Sequence, residues 1–410
     1  RVKELKSSVR FRTDELAEKE RALLRVEERR GELERALEPL RNASDLYGQR
    51  GLGGPRRRVL ERRRELLDDL QLPADDPRRQ EQKIAFARLT SVSGDPSRAR
   101  DHALEIWREL DEDQFRLRTH AAILMAKLVG DLGDSEGAWR WAENALEASR
   151  QTQDPGLQAE CCLQSVWTCF FAAEFSRAGD YAKSAYDLAE RAGDHYTRLS
   201  ALRLRGIVME AQGDERAVDV FERVRREAAD AGYVVLESYA LHGLAEHARF
   251  AGRLDEARRF YRQDQEKIEE LSRPTSIATG KLNLAQVELR AGNLDHGYDH
   301  LRTATMMLEH AGAEELRREL LHLLRLTHAA GTEDAANFQQ LWSEFEAGWP
   351  KGWQMNKDVP WLLETAGEYA MEAGWRERAR DVWQLAHHLW KQVGDDAAAE
   401  QLDRRLADLT

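Results

Sequence analysis

The chain has 410 residues, 42% of them hydrophobic and 33% charged, with a formal net charge of −12. That length exceeds what one compact core ordinarily needs, so several domains or an extended repeat array are expected. No run of 18 or more apolar residues occurs and no basic–apolar–small pattern opens the chain, which argues against a membrane helix or a signal peptide and for a cytoplasmic setting.

Good helix formers dominate, with only 9 prolines and 27 glycines, and no stretch alternates with period two. An all-α protein is expected. The chain opens on Arg1 instead of Met, so it is expected to be part of a longer polypeptide. Cys161, Cys162 and Cys169 fall in one predicted helix, a geometry that does not favour bridges and suits a reducing compartment. Residues 1–73 carry 19 Lys+Arg against 15 Asp+Glu, so the acidic excess of the chain lies beyond them. An acidic array repels phosphate backbones and disfavours nucleic-acid binding by the later segments.

In chain order, residues 1–47 predict one long helix with a seven-residue register. One seam reads Val2, Val9, Leu16, Leu23, Arg30, Leu37 and the other Leu5, Arg12, Lys19, Val26, Leu33, Leu40. Nine of these twelve are apolar, the pattern of a coiled coil, and its apolar members are the expected self-association residues. Residues 48–79 predict a linker. The run GQRGLGGPRRR breaks the helix with four glycines and Pro55, and a short basic helix follows from about Val59 to Leu70. The run lacks the Lys-Ser/Thr that a phosphate-cradling loop needs, and Arg56–Arg58 and Arg62–Arg64 read as a solvated face.

From about residue 80 to residue 410 the sequence repeats. A small residue follows a turn at Ala99, Ala138, Ala178, Ala217, Ala257, Gly297, Ala336 and Ala379, at spacings of 39 to 43 residues. A glycine precedes most of them (Gly94, Gly133, Gly213, Gly252, Gly292, Gly331, Gly374), with Glu174 in the remaining slot. Asp95, Asp134, Ser176, Asp214, Asp255, Asp295 and Asp334 are placed to cap the helix that follows. A second small residue, twelve positions before the first, recurs as Ala87, Ala126, Ala245, Ala285 and Gly367, with Gly206 one residue out of step. The unit is helix, short turn, helix, short turn. In these residues the segment resembles the tetratricopeptide family, in the longer-period form found in bacterial multidomain signalling proteins. The resemblance implies a right-handed α-α superhelix of about eight helix pairs, a solenoid preceded by the coiled-coil helix.

In that family the position after the small residue of the first helix lines the concave groove. The resemblance therefore assigns partner contact to Arg88, Lys127, Trp167, Ile207, Glu246, Gln286, Arg325 and Glu368. Basic and aromatic residues come early in this stripe and acidic ones late, which suits an extended acidic peptide. Seven of the 11 tryptophans fall between Trp342 and Trp390. Trp349, Trp353, Trp361, Trp383 and Trp390 are either a docking surface or the packing of a terminal unit. His296 and His300, four apart, stand without an HExxH or a Cys pair, so no metal site is expected, and no nucleophile–base motif or cofactor fingerprint is present.

The expected function is a non-enzymatic scaffold or sensor arm of a bacterial signalling or defence protein, holding a peptide or protein in its groove. The alternative is the regulatory part of an enzyme (a Ser/Thr kinase, a STAND ATPase or a caspase-like protease) or of a transcription regulator.

Overall fold

The structure is a computed structural model. It describes residues 2–92, 96–270, 274–311, 317–348 and 357–409, with the backbone alone for residues 2–24, 26, 92, 96, 270 and 274. Among the described residues there are nineteen helices and no strand. They fall into two compact units, one of residues 1–128 and 143–153, the other of residues 129–142 and 154–410.

The first unit contains α1 (Val2–Gln49), α2 (Gly53–Asp69), α3 (Pro77–Val92), α4 (Pro96–Glu109), most of α5 (Phe115–Asp131) and the end of α6 (Ser135–Thr152). The glycine-rich run breaks the helix less than its composition suggests. Only residues 50–52 leave helical geometry, with Gly51 left-handed at φ 73°. Pro55 is tolerated because it sits in the first turn of α2, where its missing N–H has no helical acceptor anyway. Segment 48–79 is thus largely helical and packed: α2 lies against both α1 and α3.

Leu37 is buried with Leu66, Leu67, Leu70 and Leu72, and Leu33 and Leu40 pack on the same cluster. Each such leucine contributes roughly 1.5–3 kcal/mol on leaving water. These three seam residues are therefore covered within the chain. The side chains of Val2, Leu5, Val9, Leu16, Leu23 and Val26 lie outside the described residues. Of the arginines read as a solvated face, Arg63 is a correction. It is buried, donating to Gln82 Oε1 at 2.8 Å and to Glu81 at 2.5 Å, and so ties α2 to α3.

The second unit holds α7 (Pro155–Phe171) with α8 (Phe175–Ala192), α9 (His195–Ala211) with α10 (Ala217–Ala231), and α11 (Val234–Phe250) with α12 (Leu254–Glu270). It continues with α13 (Pro274–Arg290) and α14 (Leu294–Ala311), α15 (Arg318–Gly331) and α16 (Ala335–Gly348), and α17 (Asp358–Glu372) and α18 (Arg376–Gln392). Helices counted in twos from α3 make the expected eight pairs, and α19 (Asp396–Ala407) packs on α18 as a terminal cover. Ala399 and Leu402 of α19 close the apolar end that a repeat array otherwise exposes.

Why the small residues recur is visible in the packing. Ala178, Ala217, Ala257 and Ala379 have no exposed surface, each at the contact between its own helix and the preceding one. At two of the places where an aromatic follows one turn later, Phe221 and Trp383, the facing small residue is glycine, while Tyr261 packs with Ala245. A Cβ on Gly206 would lie 2.8 Å from the Phe221 ring, and one on Gly367 would overlap Trp383 Nε1.

Two repeats correct the expected register. In the seventh, the left-handed turn residue is Glu333 (φ 57°), not Gly331, which is the last residue of α15 against Leu294. The buried slot is filled by fully buried Phe338, with Trp342 and Phe345 one and two turns on, while Ala336 is exposed. Phe338 also restores even spacing between Gly297 and Ala379. In the third repeat the left-handed residue is Ala173, and Glu174 is only the position before α8, without a side-chain cap. Asp134 and Asp334 do cap, accepting from Gly137 N at 2.7 Å and Asn337 N at 3.1 Å, and Asp214 accepts from Arg216 N at 3.0 Å. Ser176, Asp255 and Asp295 instead lie inside helices; Gly94 and Asp95 lie outside the described residues.

Candidate functional site

In the second unit the first helices of successive pairs touch one another: α7 meets α9, α9 meets α11, α13 meets α15 and α15 meets α17. They form a wall of first helices. A residue on this wall shares its stripe with those four and seven positions away. Arg203 therefore belongs one turn before Ile207, and Tyr239 two turns before Glu246.

Three side chains meet there from three helices. The Arg203 guanidinium on α9 lies 5.8 Å from the ring centroid of Trp167 on α7 and 4.8 Å from that of Tyr239 on α11. Trp167 stacks on Phe171 at 5.7 Å and meets Phe170 edge-on at 5.9 Å. Phe171 and Tyr239 keep 48% and 45% of their surface in solvent, high for large rings, so the patch is open. Burial lowers the Arg203 pKa, with only the tyrosines Tyr239 and Tyr196 opposing it, and its Nε has no hydrogen-bond partner.

Farther along the wall the polar groups answer one another. Fully buried Arg249, at the end of α11, pairs with Glu246 at 2.5 Å and with Asp358 at the start of α17, and donates to Gln286 of α13 at 3.0 Å. Its charged carbon also lies 4.8 Å from the Trp361 ring. Tyr261 donates to Glu246. Burial alone would raise the Glu246 pKa, but the Arg249 and His242 charges and the Tyr261 hydrogen bond overturn that and hold it below the usual range. Asp358 goes the other way, because burial outweighs its attraction to Arg249. Burial and the Glu246 carboxylate push the Tyr261 phenol well up. Next to this, Arg290 pairs with Glu368 at 2.8 Å and Glu364 at 3.5 Å, and Arg405 with Glu368 at 2.5 Å.

The expected groove residues divide accordingly. Trp167 stands in the open aromatic patch, and Arg325 is exposed on α15. Glu246 and Glu368 are engaged in the ion pairs just described, which leaves them half-buried. Gln286 is a correction: it is fully buried, spent on Arg249, because α11 and α13 are bridged there by side chains. In the first unit Arg88 bonds His120 at 3.0 Å and Lys127 is exposed.

Of the two readings of the tryptophans, packing of the terminal repeats holds for the three that are described. Trp361, Trp383 and Trp390 are buried in the core with Trp342, and Trp383 donates to the Glu364 carbonyl at 3.1 Å, so they pack the terminal repeats and present no docking surface. Trp349 and Trp353 lie outside the described residues. The three cysteines are free and buried. Among the described residues no group of three or more His, Cys, Asp or Glu is placed to hold a metal ion, and no helix is long and apolar enough to cross a membrane.

Arg203 and Tyr239 escaped the sequence reading. The one signal available was their spacing from Ile207 and Glu246; that an arginine lacks a carboxylate shows only in space.

No family model and no curated protein matches the chain. Solved structures do. A Rap protein complexed with competence and sporulation factor is 13% identical, with 93% of this chain and 98% of that one covered and a TM-score of 0.61. NprR in complex with its cognate peptide NprX is 14% identical, covering 88% and 98%, with a TM-score of 0.55. Aspartyl phosphate phosphatase F from Bacillus subtilis is 14% identical, covering 86% and 93%, with a TM-score of 0.57. At these identities the likeness is one of architecture, and it establishes that the chain has the tetratricopeptide-like helical-repeat fold.

Proposed function

We propose that the chain is a binding protein whose second unit holds an extended peptide, or an extended segment of a protein, along the wall of α7, α9 and α11, and that it serves as a sensor or scaffold arm in signalling. The observation that carries this is the open patch of Trp167, Phe171 and Tyr239 around Arg203. Exposed rings fixed on a rigid helical wall offer large contact area at little entropic cost. Two of the structural neighbours are solved with a competence and sporulation factor or with a cognate peptide, which supports the reading. A binding role, as opposed to catalysis, is supported by the polar groups beyond the patch: Glu246, Arg249, Tyr261 and Asp358 are ion-paired or hydrogen-bonded to one another, as in a structural network. Three free buried cysteines suit a reducing, cytoplasmic setting.

The test is fluorescence anisotropy with pools of labelled random octapeptides. Saturable binding, weakened at least about tenfold by Trp167→Ala or Tyr239→Ala, is expected of hot-spot rings. Binding that ignores both substitutions would place the site elsewhere. Self-association through residues 1–28 is a second proposal, since the seam positions from Leu33 onward are already covered by α2. Light scattering of the chain with and without those residues decides it.

A further inference from the structure

We propose that Arg203 is the anchor for one carboxylate of the bound peptide; this rests on the peptide-binding reading above. The neighbouring arginines show what is unusual about it. Arg198 pairs with Glu227 at 2.7 Å, Arg223 with Glu227 at 2.7 Å and Arg258 with Glu288 at 2.8 Å. Arg203 has rings on two sides and, among the described residues, no carboxylate on any. Leaving a half-buried guanidinium without a carboxylate, its Nε shielded and unpartnered, is costly, and an incoming anion offsets that cost.

The geometry narrows the anion. Rings on either side fix the guanidinium, while the donors at its outer edge remain available for a two-pronged bond to a planar carboxylate. Phe171 and Tyr239, both half-exposed, then receive the apolar side chains that flank that carboxylate. A nucleic acid fits less well. It needs several phosphate contacts, whereas this patch supplies one cation within the acidic part of the chain. The carboxylate can be a peptide C-terminus or an Asp or Glu side chain, and the chemistry of recognition is the same.

The experiment uses the full chain and four pools of labelled octapeptides, with a free or amidated C-terminus and with or without Asp and Glu, read by fluorescence anisotropy. Pools bearing a carboxylate are expected to bind at least about tenfold more tightly than the amidated, acid-free pool, a step of about 1.4 kcal/mol. Arg203→Met should abolish that preference, and Arg203→Lys, which keeps the charge but lacks the fork, should weaken it. Preference for the free terminus assigns the C-terminal carboxylate, and preference for the acidic amidated pool assigns a side chain. Arg203→Met should melt no lower than the unaltered chain, whereas an arginine that merely holds the fold together would lower the melting temperature. Equal binding of all four pools by both proteins overturns the anchor while leaving peptide binding intact. Binding of a ten-nucleotide oligouridylate in place of every peptide, or of nothing at all, overturns both.

Discussion

The Arg249 guanidinium at the end of α11 is ion-paired with the Asp358 carboxylate at the start of α17, across five intervening helices of sequence. Arg249 is fully buried and Glu246 already faces it, so the three form a closed cluster. Replacing Arg249 by Met leaves two carboxylates facing each other without a cation, and should cost about 3–5 kcal/mol. Asp358→Asn should cost less, since Glu246 remains as partner and Asp358 is the carboxylate that burial already pushes toward its neutral form. Urea unfolding of both variants checks the order; Asp358→Asn proving the more damaging would show that the cluster is wrongly weighted.

Phe221 occupies the space left by two glycines. A Cβ on Gly206 or Gly243 would come within 2.8 Å or 2.9 Å of its ring. Gly206→Ala is expected to cost about 1–3 kcal/mol by overpacking, and Phe221→Leu in the same chain to recover part of that loss. Thermal unfolding of the two single variants and the double variant measures the coupling, which additivity would refute.

His120 gives the first unit a pH dependence. Burial, and then the charges of Arg88, Arg116 and Arg41, hold its pKa well below the usual imidazole value. Below a pH of about 6.5 the unfolded chain therefore takes up a proton that the folded chain refuses. The contribution of neutral His120 is complete above that pH and is lost as pH falls, by at most about 1.4 kcal/mol per unit. His120→Gln should flatten the fall in urea midpoint between pH 7 and pH 5. An unchanged slope would remove His120 as its source.

Leu37 fastens α1 to α2. Leu37→Ala should destabilise that hairpin by about 2–5 kcal/mol, seen as faster amide exchange in both helices. If it changed only the oligomeric state and left exchange alone, the seam would belong to a second copy of the chain.

Much of the fold was legible in the sequence because the repeat is written in small residues that packing demands, such as Ala257 and Ala379. The seventh repeat misled because a glycine and an alanine lay two residues from the true slots, and Phe338 fills a slot usually given to a small side chain. The site was less legible. Trp167 was found by its place in the repeat, while Gln286, in the equivalent place, is buried against Arg249. Periodicity assigns a residue to a face, but whether that face is open depends on distant partners such as Asp358, which no local spacing encodes. Arg203 was invisible for the same reason.

The central claim is that the wall of α7, α9 and α11 receives an extended peptide. Hydrogen–deuterium exchange of the full chain, with and without a saturating carboxylate-bearing octapeptide pool, tests it directly. Slower exchange confined mainly to those three helices, and lost in the Trp167→Ala/Tyr239→Ala chain, is the predicted result. Protection that falls instead on α1 and α2, or an exchange pattern that the peptides leave untouched, would contradict it.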